Sequence, residues 1–282
     1  MENISFQNFF GINHRVEVRI NVTNACNLHC DYCDHDAHLP FDKSGSKIFR
    51  VTPLVATPDG VEKFCQALVG VGENDGHVLQ GGEITVLPIN LIVRFIDILA
   101  SYGRRVGMRT NGYNLTSIPL KYLQKLDFIY LNAHGNNKEA IVRCREFLQL
   151  NYDGRIINEE NLDHRDLSAY INHNQGTVER GLNCTHLMST LTFISPVVHP
   201  CCNSWALTNA LNTQQITNLL IKAGWTSDNS DLKNTIANWR QTLPTPFLEA
   251  FCANSCYLTA SEDLSPLHRI QVHAKDRVIK WR

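Results

Sequence analysis

From Val16 to about Leu150 the chain alternates two kinds of apolar spacing. "RVEVRINV" (15–22) alternates apolar and polar residues as a half-buried strand does, and "GHVLQ", "RVGMRTNG" and "DFIYLNAHG" are short β-type runs. Helical patterns separate them. "TPDGVEKFCQALVG" supplies Thr57 as a cap, Pro58 in the first turn and an apolar face of Val61, Phe64, Cys65 and Leu68. "INLIVRFIDILASYG" sets Ile92, Phe95, Ile96 and Leu99 against Asn90, Arg94, Asp97 and Ser101. A short helix follows near 120–126, and "NKEAIVRCREFLQL" places Ile141, Cys144 and Leu148 on one face. Four strand and helix units in succession predict an α/β fold with a parallel sheet.

Beyond Leu150 the pattern blurs. Residues 151–183 are polar and weakly periodic, and are expected to hold one or two more units with long loops. From Cys184 the composition changes. "CTHLMSTLTFISPVVHPCC" predicts two short strands, Thr190 to Ile194 and Val197 to His199, around a Ser195-Pro196 turn. These shifts suggest an α/β body over 1–180 and a small α+β domain over 181–282.

Charge alters the picture mainly by exclusion. With 26 Lys+Arg against 27 Asp+Glu there is no global field to attract nucleic acid or an anionic membrane. The N-terminus lacks a basic, apolar leader and no later run is long enough to span a bilayer, so the expectation is a soluble, cytoplasmic protein. In that compartment ten cysteines argue for metal binding rather than disulfides.

Three of those cysteines, Cys26, Cys30 and Cys33, stand as C-x3-C-x2-C where the first predicted strand ends. The spacing lets three thiolates converge on one soft metal centre. A structural zinc site needs four ligands, which would recruit His29 or His35, whereas an iron-sulfur cube on three cysteines leaves one iron open to another ligand.

"CNLHCDYC", with Tyr32 before its third cysteine, resembles the cluster-binding signature of the radical S-adenosylmethionine (radical SAM) enzymes. The resemblance implies a 4Fe-4S cluster whose open iron is chelated by S-adenosylmethionine, which is cleaved to a 5'-deoxyadenosyl radical that takes a substrate hydrogen. It continues in "LQGGE", where Gly81, Gly82 and Glu83 match the family's motif for the methionine end of that cofactor. A proline commonly follows in the family, but Ile84 stands here. Thr110, Asn132 and His134 fall at the ends of the third and fourth strands, where the family places cofactor contacts. The implied fold is a partial (β/α)6 TIM-like barrel, open on one side, with its site at the C-terminal ends of the strands.

Of the other seven cysteines, Cys65 and Cys144 lie on apolar helix faces and read as core residues. Cys184, Cys201, Cys202, Cys252 and Cys256 remain, and four thiolates from this set suit either a structural zinc or a fully ligated iron-sulfur cluster. Their arrangement around a hairpin resembles the twitch domain, a shortened SPASM domain, whose best-known enzyme dehydrogenates an aminocyclitol. That resemblance implies a second, auxiliary 4Fe-4S cluster on Cys184, Cys201, Cys252 and Cys256, with Cys202 as the adjacent alternative.

Two clusters together imply oxidation of a small molecule such as a sugar or cyclitol alcohol, with the auxiliary cluster as electron acceptor and an external donor such as flavodoxin or ferredoxin. The alcohol proton needs a base, and the loops of 151–183 offer Arg155, His164, Arg165, His173 and Arg180. Rivals are a radical epimerase, with Cys202 returning a hydrogen, and a peptide-modifying maturase, ranked lower because about 25 residues precede Cys26. A zinc-stabilised binding module is the non-enzymatic rival, disfavoured by the lack of a basic stripe.

Overall fold

The computed structural model describes residues 17–28, 55–69, 76–103, 105–133, 137–160, 187, 190–201 and 214–249. The alternation of strands and helices read from the sequence is present. The strands are β1 (Glu17–Asn21), β2 (Gly76–Gln80), β3 (Val106–Thr110), β4 (Phe128–Ala133) and β5 (Arg155–Glu160). They are interleaved with α1 (Pro58–Leu68), α2 (Ile89–Tyr102), α3 (Leu120–Leu123) and α4 (Lys138–Asn151). A hairpin of β6 (Thr190–Ile194) and β7 (Val197–His199) follows, then α5 (Gln214–Lys222), α6 (Leu232–Ala237), α7 (Trp239–Thr242) and α8 (Thr245–Phe247).

The seven strands among the described residues form one sheet in the order β5-β4-β3-β2-β1-β6-β7. The first six are mutually parallel and β7 is antiparallel to β6. The sheet does not close, so the architecture is an open α/β partial barrel. β5 is the strand expected only loosely within 151–183. β6 does not lie beside it but joins the opposite side of the sheet, in register with β1 from Glu17↔Thr190 to Asn21↔Ile194. A division after residue 180 therefore passes between two strands of one sheet.

The helices form as their sequences dictate. Thr57 caps α1 by accepting the Gly60 N–H on its hydroxyl at 3.1 Å, with Pro58 at the first position where no N–H is needed. The apolar faces of α1, α2 and α4 are the buried ones. Phe64 of α1 stacks on Phe193 of β6, ring centroids 4.5 Å apart, which fastens the hairpin to the first helix. Burying one such side chain stabilises the fold by about 1.5–3 kcal/mol. Trp225, Leu232, Ile236, Trp239 and Phe247 join the same apolar core as Val18, Ile20 and Leu79. Among the described residues no helix is long and apolar enough to cross a membrane.

Strand alternation leaves a different set of side chains on the face away from the helices. Val18 and Ile20 enter the core, while Glu17, Arg19 and Asn21 line this lumen with Gln80, Arg109 and Tyr130 from their neighbours. Arg109 donates to Gln80 Oε1 at 2.9 Å and to Glu17 at 3.4 Å, and its guanidinium lies 4.4 Å from the Tyr130 ring centre. Burial favours the neutral form of Glu17, but Arg19 and Arg109 outweigh it and hold its carboxyl below the usual range. At the N-terminal ends of the strands the lumen widens into a cavity of about 280 Å³, whose walls include Glu17, Arg105, Phe128, Tyr130 and Arg155.

Candidate functional site

The C-terminal ends of the first four strands carry the sequence motifs. After β1 the chain stays against β2, as Val22 N–H donates to Gln80 O, Gly82 N–H to Thr23 O and Glu83 N–H to Ala25 O, at 2.9, 2.8 and 2.8 Å. The Gly81-Gly82 pair thus lies flat on the backbone of 23–25. A methyl group at Gly81 would overlap the Thr23 carbonyl oxygen, and one at Gly82 would overlap those of Asn24 and Ala25. This close approach sets the direction of the loop that carries Cys26. Cys26 is partly exposed, and its Sγ accepts the Leu28 N–H at 3.4 Å.

Glu83 points away from the lumen and is buried, with 2% exposure. Its Oε1 accepts from the Thr85 N–H at 3.0 Å and from the Thr85 and Thr110 hydroxyls at 2.7 Å each. Its Oε2 accepts from the Asn111 N–H at 2.6 Å. Burial raises the Glu83 carboxyl above its ordinary value, while these four donors pull the other way. Glu83 and Thr110 are therefore occupied with each other, and their effect on the site is to hold the ends of β2 and β3 together.

Asn111 turns that clamp toward the cysteine loop. Its Nδ2 donates to Asn27 Oδ1 at 2.8 Å and lies 4.0 Å from Cys26 Sγ. Asn137, 1% exposed, donates its side-chain N–H groups to the carbonyls of Asn111 and Asn132, both at 2.8 Å, tying β3 to β4. Gly112, at φ +84°, lets the chain reverse after β3, and its carbonyl accepts from the Cys144 thiol at 2.9 Å. Cys144 and Cys65 are buried as expected, and burial pushes their thiols up to about 11 and about 12.

Asn132 brings an unsatisfied group to the site. Its Oδ1 is buried and has no hydrogen-bond partner among the described residues. An orphaned acceptor at a strand end costs stability unless a ligand supplies a donor. With the Cys26 sulfur, whose loop the Gly81-Gly82 pair sets in direction, it suits the groups implied by the sequence signature: a thiolate-held iron centre and a ligand bearing hydroxyl donors.

Cys30, Tyr32, Cys33 and His134 lie outside the described residues, as do His29 and His35. The same holds for Cys184, Cys202, Cys252 and Cys256, and for His164, Arg165, His173 and Arg180. Cys201 is buried and follows β7. Because His199 pairs with Thr192 and β7 runs antiparallel, Cys201 lies toward the N-terminal edge of the sheet, the end opposite Cys26. Arg155 opens β5 on the wall of the lumen cavity. Asn27, Thr85, Asn111 and Asn137 were not singled out by the motifs. For Asn111 alone the Asn-Gly pair of "RTNG" is a visible signal, because Asn before a reversing glycine marks a strand end.

A family model described as Radical SAM superfamily matches residues 20–160, from within β1 to the end of β5. A "Probable GTP 3',8-cyclase" of Methanothermobacter marburgensis is 32% identical over 115 residues, 39% of this chain. The chain spans only a third of that relative's length, 33%. A solved structure of hexahistidine-tagged anSMEcpe with bound AdoMet covers 95% of this chain and 96% of its own, at 12% identity and a TM-score of 0.47. Streptococcus suis SuiB bound to precursor peptide SuiA covers 91% and 75%, at 13% identity and a TM-score of 0.38.

Proposed function

The chain belongs to the radical SAM superfamily, and from that premise we propose that it oxidises a small polar molecule held in the lumen of its open barrel, with an auxiliary iron-sulfur cluster as electron acceptor. When bound, the family's 4Fe-4S cluster and S-adenosylmethionine supply a 5'-deoxyadenosyl radical that removes a substrate hydrogen. Cys26, Cys30 and Cys33 would hold the cluster. The backbone of Gly81 and Gly82 would receive the methionine end of the cofactor, and Asn132 Oδ1 would accept a hydroxyl donor from its sugar. His134 is proposed beside them.

The observation that carries the oxidative reading is that Cys26 follows the C-terminal end of β1 while Cys201, buried in the apolar core, lies toward the opposite end of the same sheet. Five residues of strand put the two levels on the order of 15 Å apart. A substrate lying along β1 would present one end to the radical and the other to a cluster on Cys184, Cys201, Cys252 and Cys256, with Cys202 as the adjacent alternative. The proposed twitch-like region, over 181–282, would then be an extension that shares the barrel's sheet through β6 and β7. Arg105 and Arg155 form no ion pair among the described residues, which suits a substrate carrying a carboxylate or phosphate beside its alcohol. An external one-electron donor such as flavodoxin or ferredoxin would complete the system.

Anaerobic purification, reconstitution with iron and sulfide, and an iron count test this reading. About eight irons per chain support two cubes, about four leave only the family cluster, and colourless protein holding zinc would sink both. Cys26→Ala should abolish deoxyadenosine formation, whereas Cys252→Ala should retain it.

A further inference from the structure

Asn111 is gripped by both of its main-chain polar groups. Its N–H donates to Glu83 Oε2 at 2.6 Å, and its carbonyl accepts from Asn137 Nδ2 at 2.8 Å. Both partners are buried side chains, one following β2 and the other preceding α4. Asn111 itself is 4% exposed, and its Oδ1 accepts the Tyr113 N–H at 3.3 Å. Pinned in this way, the side chain has little freedom to turn. Its Nδ2 carries two hydrogens and has two neighbours, Asn27 Oδ1 at 2.8 Å and Cys26 Sγ at 4.0 Å.

We propose that Asn111 is a positioning residue for the first cluster thiolate. Through Asn27 it holds the Cys26 loop against the end of β3, and its second amide hydrogen is directed at the Cys26 sulfur beside the Leu28 N–H. The inference rests on the cluster assignment above. Once Cys26 is a ligand, an N–H aimed at its sulfur favours the more negatively charged, reduced state of the centre and raises its reduction potential. Glu83 and Asn137 contribute by fixing the amide rather than by touching the sulfur.

The test is a redox titration, followed by electron paramagnetic resonance, of the reconstituted full chain, reading the centre whose signal changes when S-adenosylmethionine is added. Asn111→Leu should keep the iron content and shift the reduction equilibrium about tenfold toward the oxidised form, 59 mV for a one-electron couple. Asn27→Ala removes the competing acceptor and should leave the potential unchanged or more positive. An unchanged potential in Asn111→Leu, or a negative shift in both variants, overturns the proposal. If Asn111→Leu takes up no cluster, Asn111→Gln, which keeps the donor, decides: restored loading supports the role and lost loading overturns it. A wild-type chain that takes up no iron overturns the cluster assignment first, and this role with it.

Discussion

The Glu83 carboxylate and the Asn111 main-chain N–H meet at 2.6 Å in a position closed to solvent, joining the end of β2 to the end of β3. The acid of the Gly-Gly-Glu motif is thus a structural clamp in this fold, one bond removed from the cysteine loop. Glu83→Gln tests that relationship. Either orientation of the new amide sets its NH2 against a main-chain N–H, that of Thr85 or that of Asn111. Leaving one buried donor unpaired costs about 1–3 kcal/mol. The urea midpoint should fall accordingly, and iron uptake should fall with it. A midpoint equal to that of the wild type would remove the clamp from the account.

The repeated strand and helix units were legible because period 2 and period 3.6 are properties of neighbouring residues, as the buried faces of α1, α2 and α4 bear out. The hairpin of β6 and β7 was legible for the same reason. Its place beside β1 was not, since that pairing joins Glu17 to Thr190 across most of the chain and no local pattern encodes it. The site divides similarly. Cys26 and the Gly81-Gly82 pair announce themselves by spacing. Asn111 and Asn137 act through single hydrogen bonds to residues distant in sequence, and isolated asparagines carry no period.

Gly82→Ala should damage the site more than its size suggests. The added methyl would press on the carbonyl oxygens of Asn24 and Ala25, which are backbone atoms and move only with the loop. Such overpacking costs about 1–3 kcal/mol. Reconstituted Gly82→Ala should hold markedly less iron than the wild type. Gly60→Ala is the control, because its methyl meets side-chain hydroxyls, those of Ser195 and Thr57, rather than backbone. Equal iron in both variants would contradict the close-approach argument.

Asn132→Leu should separate binding from stability. The buried Oδ1 has no partner among the described residues, so replacing it with an apolar group of similar size is expected to be neutral or slightly stabilising. Affinity for S-adenosylmethionine should drop about tenfold, roughly 1.4 kcal/mol, as the lost acceptor is felt only when the ligand is present. Equilibrium dialysis beside urea unfolding measures both. A variant that loses stability but binds normally would place Asn132 in the scaffold instead.

Acid should weaken the fold through His77. This residue of β2 is 1% exposed on the helix-facing side, and desolvation pushes its imidazole down to about 4. The unfolded chain takes up a proton near the ordinary value of 6.5, whereas the folded chain refuses it until about 4. Between those values the unfolded state binds more protons, so stability falls as pH falls and is retained above 6.5. One such residue contributes a slope of up to about 1.4 kcal/mol per pH unit. Urea unfolding at pH 7.5, 6.5, 5.5 and 4.5, with roughly that spacing chosen to bracket the window, should show the decline. His77→Gln should start from a lower stability at neutral pH and decline less steeply by that amount. Parallel lines for the two proteins would mean that the proton is taken up elsewhere.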